Sequence, residues 1–353
     1  MKQRNTIGMD MGDRSHSICI LDHNGKVLSR NTVTNTAVAL RKCFKNRKPA
    51  LFAIEAGTHS AWVSRVLEDM GHEVLVGNPR KLRAIWDSHE KSDVRDAEML
   101  ARIARVDPEL LYPIKHRNRE AQLDLLHIKG RDLLVKIRKM HVSHIRSVAK
   151  GFGERVSKCS IKCFQRRATE ELSAEVLAIV EPLLACIEGL DLKIAEYEKR
   201  INRLCVEKYP ETETLRAVAG VGPITALAYV LTIEDPQRFK RSRDVGPFLG
   251  LVPRRDQSGN MDKQLSITKA GNSDLRRLLV GCAQYILGSF GPDCELREFG
   301  LKLAERGGKN AKRRAVVAVA RKLSILLHRL WMDEAIYDPC YQRTRKEMAK
   351  AAA

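Results

Sequence analysis

Thr6-Ile7-Gly8-Met9-Asp10, followed by Ser17-Ile18-Cys19-Ile20-Leu21, Asp22-His23-Asn24-Gly25 and Lys26-Val27-Leu28, is the stretch on which the fold turns. Short apolar runs flank an Asn-Gly pair, a strong hairpin signal, and predict two strands within residues 4–30 with a return beginning at Lys26. Leu51-Phe52-Ala53-Ile54-Glu55 and Glu73-Val74-Leu75-Val76 are further short apolar runs. A helical stretch from Ser60 to Met70, stopped by Gly71, lies between them. Strands alternating with helices predict an α/β domain over about residues 1–110.

The 353 residues leave room for two or three domains. Lys and Arg number 63 against 43 Asp and Glu, a net charge of +20. So large an excess attracts polyanions, and nucleic acid is the first partner to consider. A hydrophobic content of 44% excludes a disordered basic tail. No apolar run reaches the roughly 20 residues of a membrane span, and Asp10 falls where a signal peptide needs its apolar core. The nine cysteines are scattered; Cys159 and Cys163 are the nearest pair, and no second pair completes a zinc pattern. Thiols in a reducing cytoplasm are expected.

From about residue 117 to 206 the pattern becomes helical and charged. Val176, Val180, Leu183, Ile187, Leu190, Ile194, Tyr197, Ile201 and Leu204 alternate in steps of four and three, the signature of a coiled-coil seam. Pro182 and Gly189 weaken its first half, so the regular coil is expected from Leu190. Residues 121–150 offer a poorer partner through Leu123, Leu126, Leu133, Ile137 and Met140, interrupted at Gly130. The pairing is either a hairpin within the chain or a coil between chains. Residues 213–335 form a third region. Gly220-Val221-Gly222 stands before the apolar helical run Ile224 to Thr232, a turn whose glycines let backbone approach a phosphate. A simple tight turn fits the same residues. Residues 302–329 carry nine Lys or Arg against one acid, Glu305, and read as an amphipathic helix whose basic face, with Lys312, Arg313 and Arg314, contacts a nucleic-acid backbone.

In so basic a chain the placing of acids is informative. Asp10 and Glu55 end apolar strands, and Asp93 and Asp96, three apart, share a helical face. Four carboxylates brought together repel one another unless cations join them. Hard divalent ions suit such a cluster and can clamp the oxygens of a phosphodiester.

The order of strand Asp, strand Glu and paired helical Asp resembles the RuvC-like branch of the RNase H-like fold. With the C-terminal third, the chain resembles the DEDD insertion-sequence transposases related to the Piv invertase. The matching stretches are Ile7–Asp10, Glu55-Ala56-Gly57-Thr58, Ser92–Ala97, Gly220-Val221-Gly222, Phe248–Arg255, Gln257-Ser258-Gly259 and Thr268–Arg277. The resemblance implies an α/β RuvC-like domain at 1–116, a helical coiled-coil linker at 117–206, a mainly α transposase domain with a helix-hairpin-helix-like element at 207–340, and a charged tail at 341–353. It implies that Asp10, Glu55, Asp93 and Asp96 bind Mg²⁺ or Mn²⁺, and that Ser258 is a nucleophile forming a covalent link to DNA. Arg254 and Arg255 are expected to hold a phosphate near Ser258, with Lys269, Arg276 and Arg277 as further nucleic-acid contacts. Donor and target DNA, a guide RNA encoded beside the gene, a homodimer or homotetramer, and a cytoplasmic, nucleoid-associated location are the implied partners and place.

Met11-Gly12-Asp13-Arg14 departs from the family's less acidic turn followed by Lys; Asp13 either joins the metal site or caps that turn, and the cap is the role expected. Three other readings remain at this level. Asp10-Met11-Gly12 also fits an actin-like ATPase, although no second phosphate loop follows. A junction nuclease would leave Ser258 idle, and a non-catalytic RNA-binding protein would not need the acids.

Overall fold

The computed structural model describes residues 4–82, 92–259 and 261–341. The chain divides into two compact units, Met1–Arg117 and Asn118–Ala353. The tail expected after residue 340 lies, apart from Tyr341, outside the described residues.

The first unit is a mixed α/β domain. Strands β1 (Thr6–Met11), β2 (Ser15–Leu21) and β3 (Val27–Thr34) form an antiparallel meander. Strands β4 (Leu51–Glu55) and β5 (Glu73–Gly77) extend it in parallel, in the order β3-β2-β1-β4-β5. Alternation along the strands sorts their side chains. Ile7, Met9, Phe52 and Ile54 enter a core with Leu40 and Phe44 of α1 (Ala37–Phe44) and Val63 and Leu67 of α2 (Ser60–Asp69). Leu51 and Ala53 belong to a separate cluster with Leu100 and Ala104 of the helix Asp93–Val106, which follows the short α3 (Pro79–Leu82) and is α4. The sheet is thus covered on both faces, as its parallel strands require.

The second unit is mostly helical. Helices α5 (Arg119–Gly151) and α7 (Ala174–Glu207) pack along each other within the chain, with α6 (Ile161–Glu171) between them in sequence. Of the α7 stripe expected from the three-four spacing, Val176, Val180, Ile187, Ile194 and Ile201 are buried, whereas Leu183, Leu190, Tyr197 and Leu204 are half-buried and Leu184 and Cys205 are buried beside them. Helix α7 runs unbroken through Pro182 and Gly189, so the regular segment is not confined to Leu190 onward.

On α5 the inward stripe differs from the one the hydrophobic pattern predicts. Leu123, Leu126, Leu133 and Met140 are exposed, whereas Ala121, Asp124, Leu125, Ile128 and Asp132 are buried. Two carboxylates occupy inward positions because each has partners. Asp124 accepts from the Lys208 ammonium and, at 2.6 Å, from the Tyr209 hydroxyl, and Asp132 from the Arg277 guanidinium. Burial and the bond to Asp124 push the Tyr209 phenol up to about 12. Gly130 does not interrupt the helix either; a Cβ there would stand 2.9 Å from the ring of Tyr197, so the glycine is the seat for that side chain.

Next in the chain come α8 (Glu211–Arg216) and α9 (Pro223–Ile233). Every residue of α9 from Thr225 to Ile233 is buried, as expected of a helix apolar all round. It forms the centre of the unit, where the Tyr229 hydroxyl donates to the Ser324 carbonyl at 2.7 Å. A single turn, α10 (Val245–Phe248), leads to a two-stranded hairpin of β6 (Pro253–Ser258) and β7 (Met261–Ile267). Then come α11 (Ser273–Leu287), α12 (Glu295–Glu305) and α13 (Ala311–Asp333). The basic helix expected over 302–329 is therefore two helices, parted at Gly307 and Gly308, both at positive φ.

Candidate active site

Three local choices assemble the acids of the first unit. Met9 pairs with Ile54 in parallel register, so Asp10 and Glu55 follow side by side at the carboxyl ends of neighbouring strands. By alternation Asp10 shares its face with Gly8, and Glu55 shares its face with Leu51 and Ala53, the face covered by α4. Gly8 then lets that helix close onto the sheet. A Cβ at Gly8 would stand 1.9 Å from the Ala97 carbonyl oxygen and 2.6 Å from the Ala101 nitrogen. Helix α4 begins with Ser92 as its cap, the hydroxyl accepting from the Arg95 amide at 3.4 Å, and carries Asp93 and Asp96 in its first turn. Carboxylates are favoured at that end of a helix by its dipole.

The result is a shared electrostatic field. Asp10 is half-buried, and its carboxyl is raised to about 6, first by burial and then by the negative charges of Asp93, Asp96 and Glu55. Among the described residues no three His, Cys, Asp or Glu side chains stand together as a ready coordination shell. Their chemistry fits a hard divalent cation: the donors are all carboxylate oxygens, and a cation would offset both the burial and the like charges that raise Asp10. No helix among the described residues is long and apolar enough to cross a membrane.

Beside the acids, Asp13 meets a residue not expected from sequence, His59, which Trp62 in turn contacts. The His59 Nε2 lies 3.1 Å from Asp13 Oδ1, and the Trp62 indole N–H donates to His59 Nδ1 at 3.3 Å. Because Nδ1 accepts, Nε2 carries the proton toward Asp13, and the pair ties the turn after β1 to the segment after β4. Asp13, largely exposed, thus takes part in a tie between two loops. The signal is Ala56-Gly57-Thr58-His59 directly after Glu55, but a lone histidine there has no spacing rule to mark it.

The expected residues of the second unit fall into three places. Ser258 ends β6, opposite Met261, at the tip of the hairpin; it is a strand residue and not part of an irregular loop. Every residue of β6 is exposed. Arg255 donates to Asp262 through Nε at 2.8 Å and through Nη2 at 2.5 Å. Arg255 and Ser258 point to opposite faces by alternation, so the two are not brought together as expected. Arg254 reaches Ser266 Oγ at 3.4 Å. The hairpin root is clamped by glycines: a Cβ at Gly250 would lie 2.3 Å from the Ala270 nitrogen, and one at Gly271 2.0 Å from the Phe248 carbonyl oxygen. Arg276 reinforces this clasp, its Nη1 donating to the Leu249 and Ala270 carbonyls at 2.8 and 2.7 Å, so its guanidinium is engaged in the fold. Lys269, at φ 55°, is exposed beside it.

Gly220, at φ 83°, and Gly222 border the start of α9, and Arg277 lies across from them on α11. Lys312, Arg313 and Arg314 are exposed in the first turn of α13, which carries no acid.

A sheet domain gathering acids at its strand ends, joined in one chain to a strongly basic helical unit, is the build of an enzyme that works on nucleic acid. Comparison with known proteins specifies it. A transposase model of the DEDD IS110 type matches residues 7–152, and the model of the transposase IS116/IS110/IS902 family matches residues 212–297. A probable family 20 transposase of Pseudomonas aeruginosa is 25% identical over 341 residues, covering 94% of this chain and 98% of that protein. The transposase of insertion sequence element IS1111A from Coxiella burnetii is 27% identical, covering 96% of this chain and 92% of its own. The pilin gene-inverting protein of Moraxella bovis is 26% identical, over 90% and 92%. The chain is a DNA transposase, and it belongs to the IS110/IS116 family of insertion-sequence transposases.

Proposed function

We propose that this transposase moves its element by site-specific recombination in which Asp10, Glu55, Asp93 and Asp96 hold Mg²⁺ or Mn²⁺ and Ser258 is the nucleophile. The observation that carries the reading is the placing of Asp10 and Glu55 at the ends of neighbouring parallel strands, with Asp93 and Asp96 in the first turn of the helix packed on that face; burial first, and then these three charges, raise Asp10. A bound divalent ion supplies charge neutralisation and polarisation of phosphate oxygens at such a site. The residues of the chain do the rest: Gly8 and the parallel register of β1 and β4 set the acids in place, and the hairpin presents the Ser258 hydroxyl to solvent. Attack by that oxygen on a backbone phosphorus forms the serine–phosphorus ester and breaks the bond to the sugar oxygen; the proton lost by the serine hydroxyl is balanced by the one the departing sugar oxygen takes up. Reversal by a new sugar hydroxyl rejoins DNA without an energy cofactor.

The relatives are named for transposition and for gene inversion, and both require exchange of DNA ends. Donor and target DNA are therefore the substrates, and a guide RNA encoded beside the gene is the partner that selects them, held by Lys269, Arg254, Arg277, the Gly220–Gly222 turn and the first turn of α13. The glycine turn serves as a helix-hairpin-helix-like element. The α/β unit is RuvC-like over residues 1–116, the α5 and α7 pair is a coiled-coil linker over 117–206, and the transposase domain follows over 207–340. A dimer or tetramer brings two duplexes together on the nucleoid.

Ser258→Ala tests the reading. A side chain in a wholly exposed strand removes no packing, so the variant should fold and bind DNA as the parent does, yet form no denaturant-resistant protein–DNA adduct. Mapping the wild-type adduct to another residue, or strand exchange by Ser258→Ala, would leave hydrolysis at the acidic site as the better account.

A further inference from the structure

The Gly220-Val221-Gly222 turn and the facing side of α11 enclose an open groove of about 610 Å³. Along α11 its wall is Arg277, Gly281 and Tyr285, spaced by four and therefore on one helical face about 12 Å long. All three are exposed, with Tyr285 at 50%. Two features of this wall are only partly explained by the fold. Gly281 stands in mid-helix, where glycine is disfavoured relative to alanine, and a Cβ there would meet nothing. Tyr285 leaves half of its ring in solvent while one edge is fixed against backbone: a Cβ at Gly220 would lie 2.9 Å from Tyr285 Cδ1.

The charges around the groove are positive. Arg216 is exposed at the end of α8 and pairs with no carboxylate among the described residues. Arg277 is oriented by Asp132, leaving its side chain 51% exposed. An aromatic face in a groove that two guanidinium groups also line, with side-chain-free backbone at Gly222 and Gly281, is the chemistry of a site that stacks one base and neutralises the phosphates beside it.

We propose that this groove binds an unpaired nucleotide, its base stacked on Tyr285, its sugar passing over Gly281 and its flanking phosphates meeting Arg216 and Arg277. A paired base offers no free face to the ring, so the groove selects single-stranded segments over duplex. The inference rests on the nucleic-acid reading of the second unit given above and adds to it the strandedness of the ligand and the residue that reads it.

The test measures binding of the full chain to short oligothymidylate, oligouridylate and a duplex of equal length, with 2-aminopurine as the stacking reporter. Tyr285→Ala should weaken single-strand binding roughly tenfold and restore the reporter's fluorescence, with duplex binding unchanged. Tyr285→Phe should bind as the wild type does, and Gly281→Leu, which fills the groove, should match Tyr285→Ala. The oligonucleotide that loses more identifies the strand, DNA or RNA. Unchanged single-strand binding in both Tyr285→Ala and Gly281→Leu overturns the groove, as does an equal loss for duplex. If the wild-type chain binds none of the three, the nucleic-acid reading itself fails.

Discussion

At the scale of single residues, Gly8 has the largest consequence for its size. It is two positions from Asp10 on the same face, and its missing side chain is what admits the backbone of α4 at Ala97 and Ala101. Gly8→Val would push the helix outward and carry Asp93 and Asp96 away from Asp10. We expect the variant to lose at least 100-fold in recombination, because an active-site displacement of about 1 Å already costs that much. The overpacking should lower stability by about 1–3 kcal/mol. Strand-exchange assays beside thermal melting check this; normal exchange by a folded Gly8→Val chain would show that the acids tolerate separation. Asp10 and Glu55 are legible in the sequence because each ends an apolar run, and Asp93 with Asp96 because three residues make nearly one helical turn. The His59–Asp13 tie is not, since the two lie 46 positions apart and only the folded loops bring them together.

Among the elements, the pair of α5 and α7 shows how periodicity succeeds and fails in neighbouring helices. The buried seam on α7 is apolar, and its spacing alone identifies it. The inward face of α5 includes Asp124 and Asp132, whose partners lie 85 and 145 positions away, and a hydrophobic pattern cannot anticipate charges satisfied at that distance. The seam from Leu190 to Leu204 has its partner inside the chain: Ile194 is 4% and Ile201 0% exposed. Ile201→Asp should therefore destabilise the chain itself by about 3–5 kcal/mol, through a buried unpaired charge and poorer packing. Urea unfolding followed by circular dichroism reads the effect. A changed oligomer mass with an unshifted midpoint would instead place the seam between chains.

For the molecule as a whole, the net charge of +20 is a folding cost carried for an external partner. The cluster of Lys312, Arg313 and Arg314 makes this local, for three cations sit at the end of α13 where the helix dipole opposes them. Replacing all three with Gln should leave the fold as stable or slightly more so. It should also weaken DNA binding and flatten the dependence of log affinity on log salt by about 0.9 for each phosphate no longer neutralised. A salt slope identical to the wild type would mean that this turn does not touch the backbone. The same excess of charge explains why the class of partner is readable from composition alone, whereas the division into two compact units is not: the helical pair and the C-terminal helices differ in pattern but share a core through Ala121, Leu125 and Ile128.

The hairpin that ends in Ser258 is rooted by a glycine clasp and contributes no buried residue from β6 to either core. Two strands without a third or a packed face are only marginally stable in water. On the proposed chemistry, the nucleophile thus rides on an arm that the rest of the protein anchors at its base but does not brace at its tip. On that proposal the missing brace is the bound DNA. On the same proposal the arrangement is a safety catch: an isolated chain encountering a chromosome presents a serine that is visible but not cocked, and assembly on the correct substrate confers its reactivity. A mobile element that must not shatter its host gains more from that restraint than from a faster enzyme.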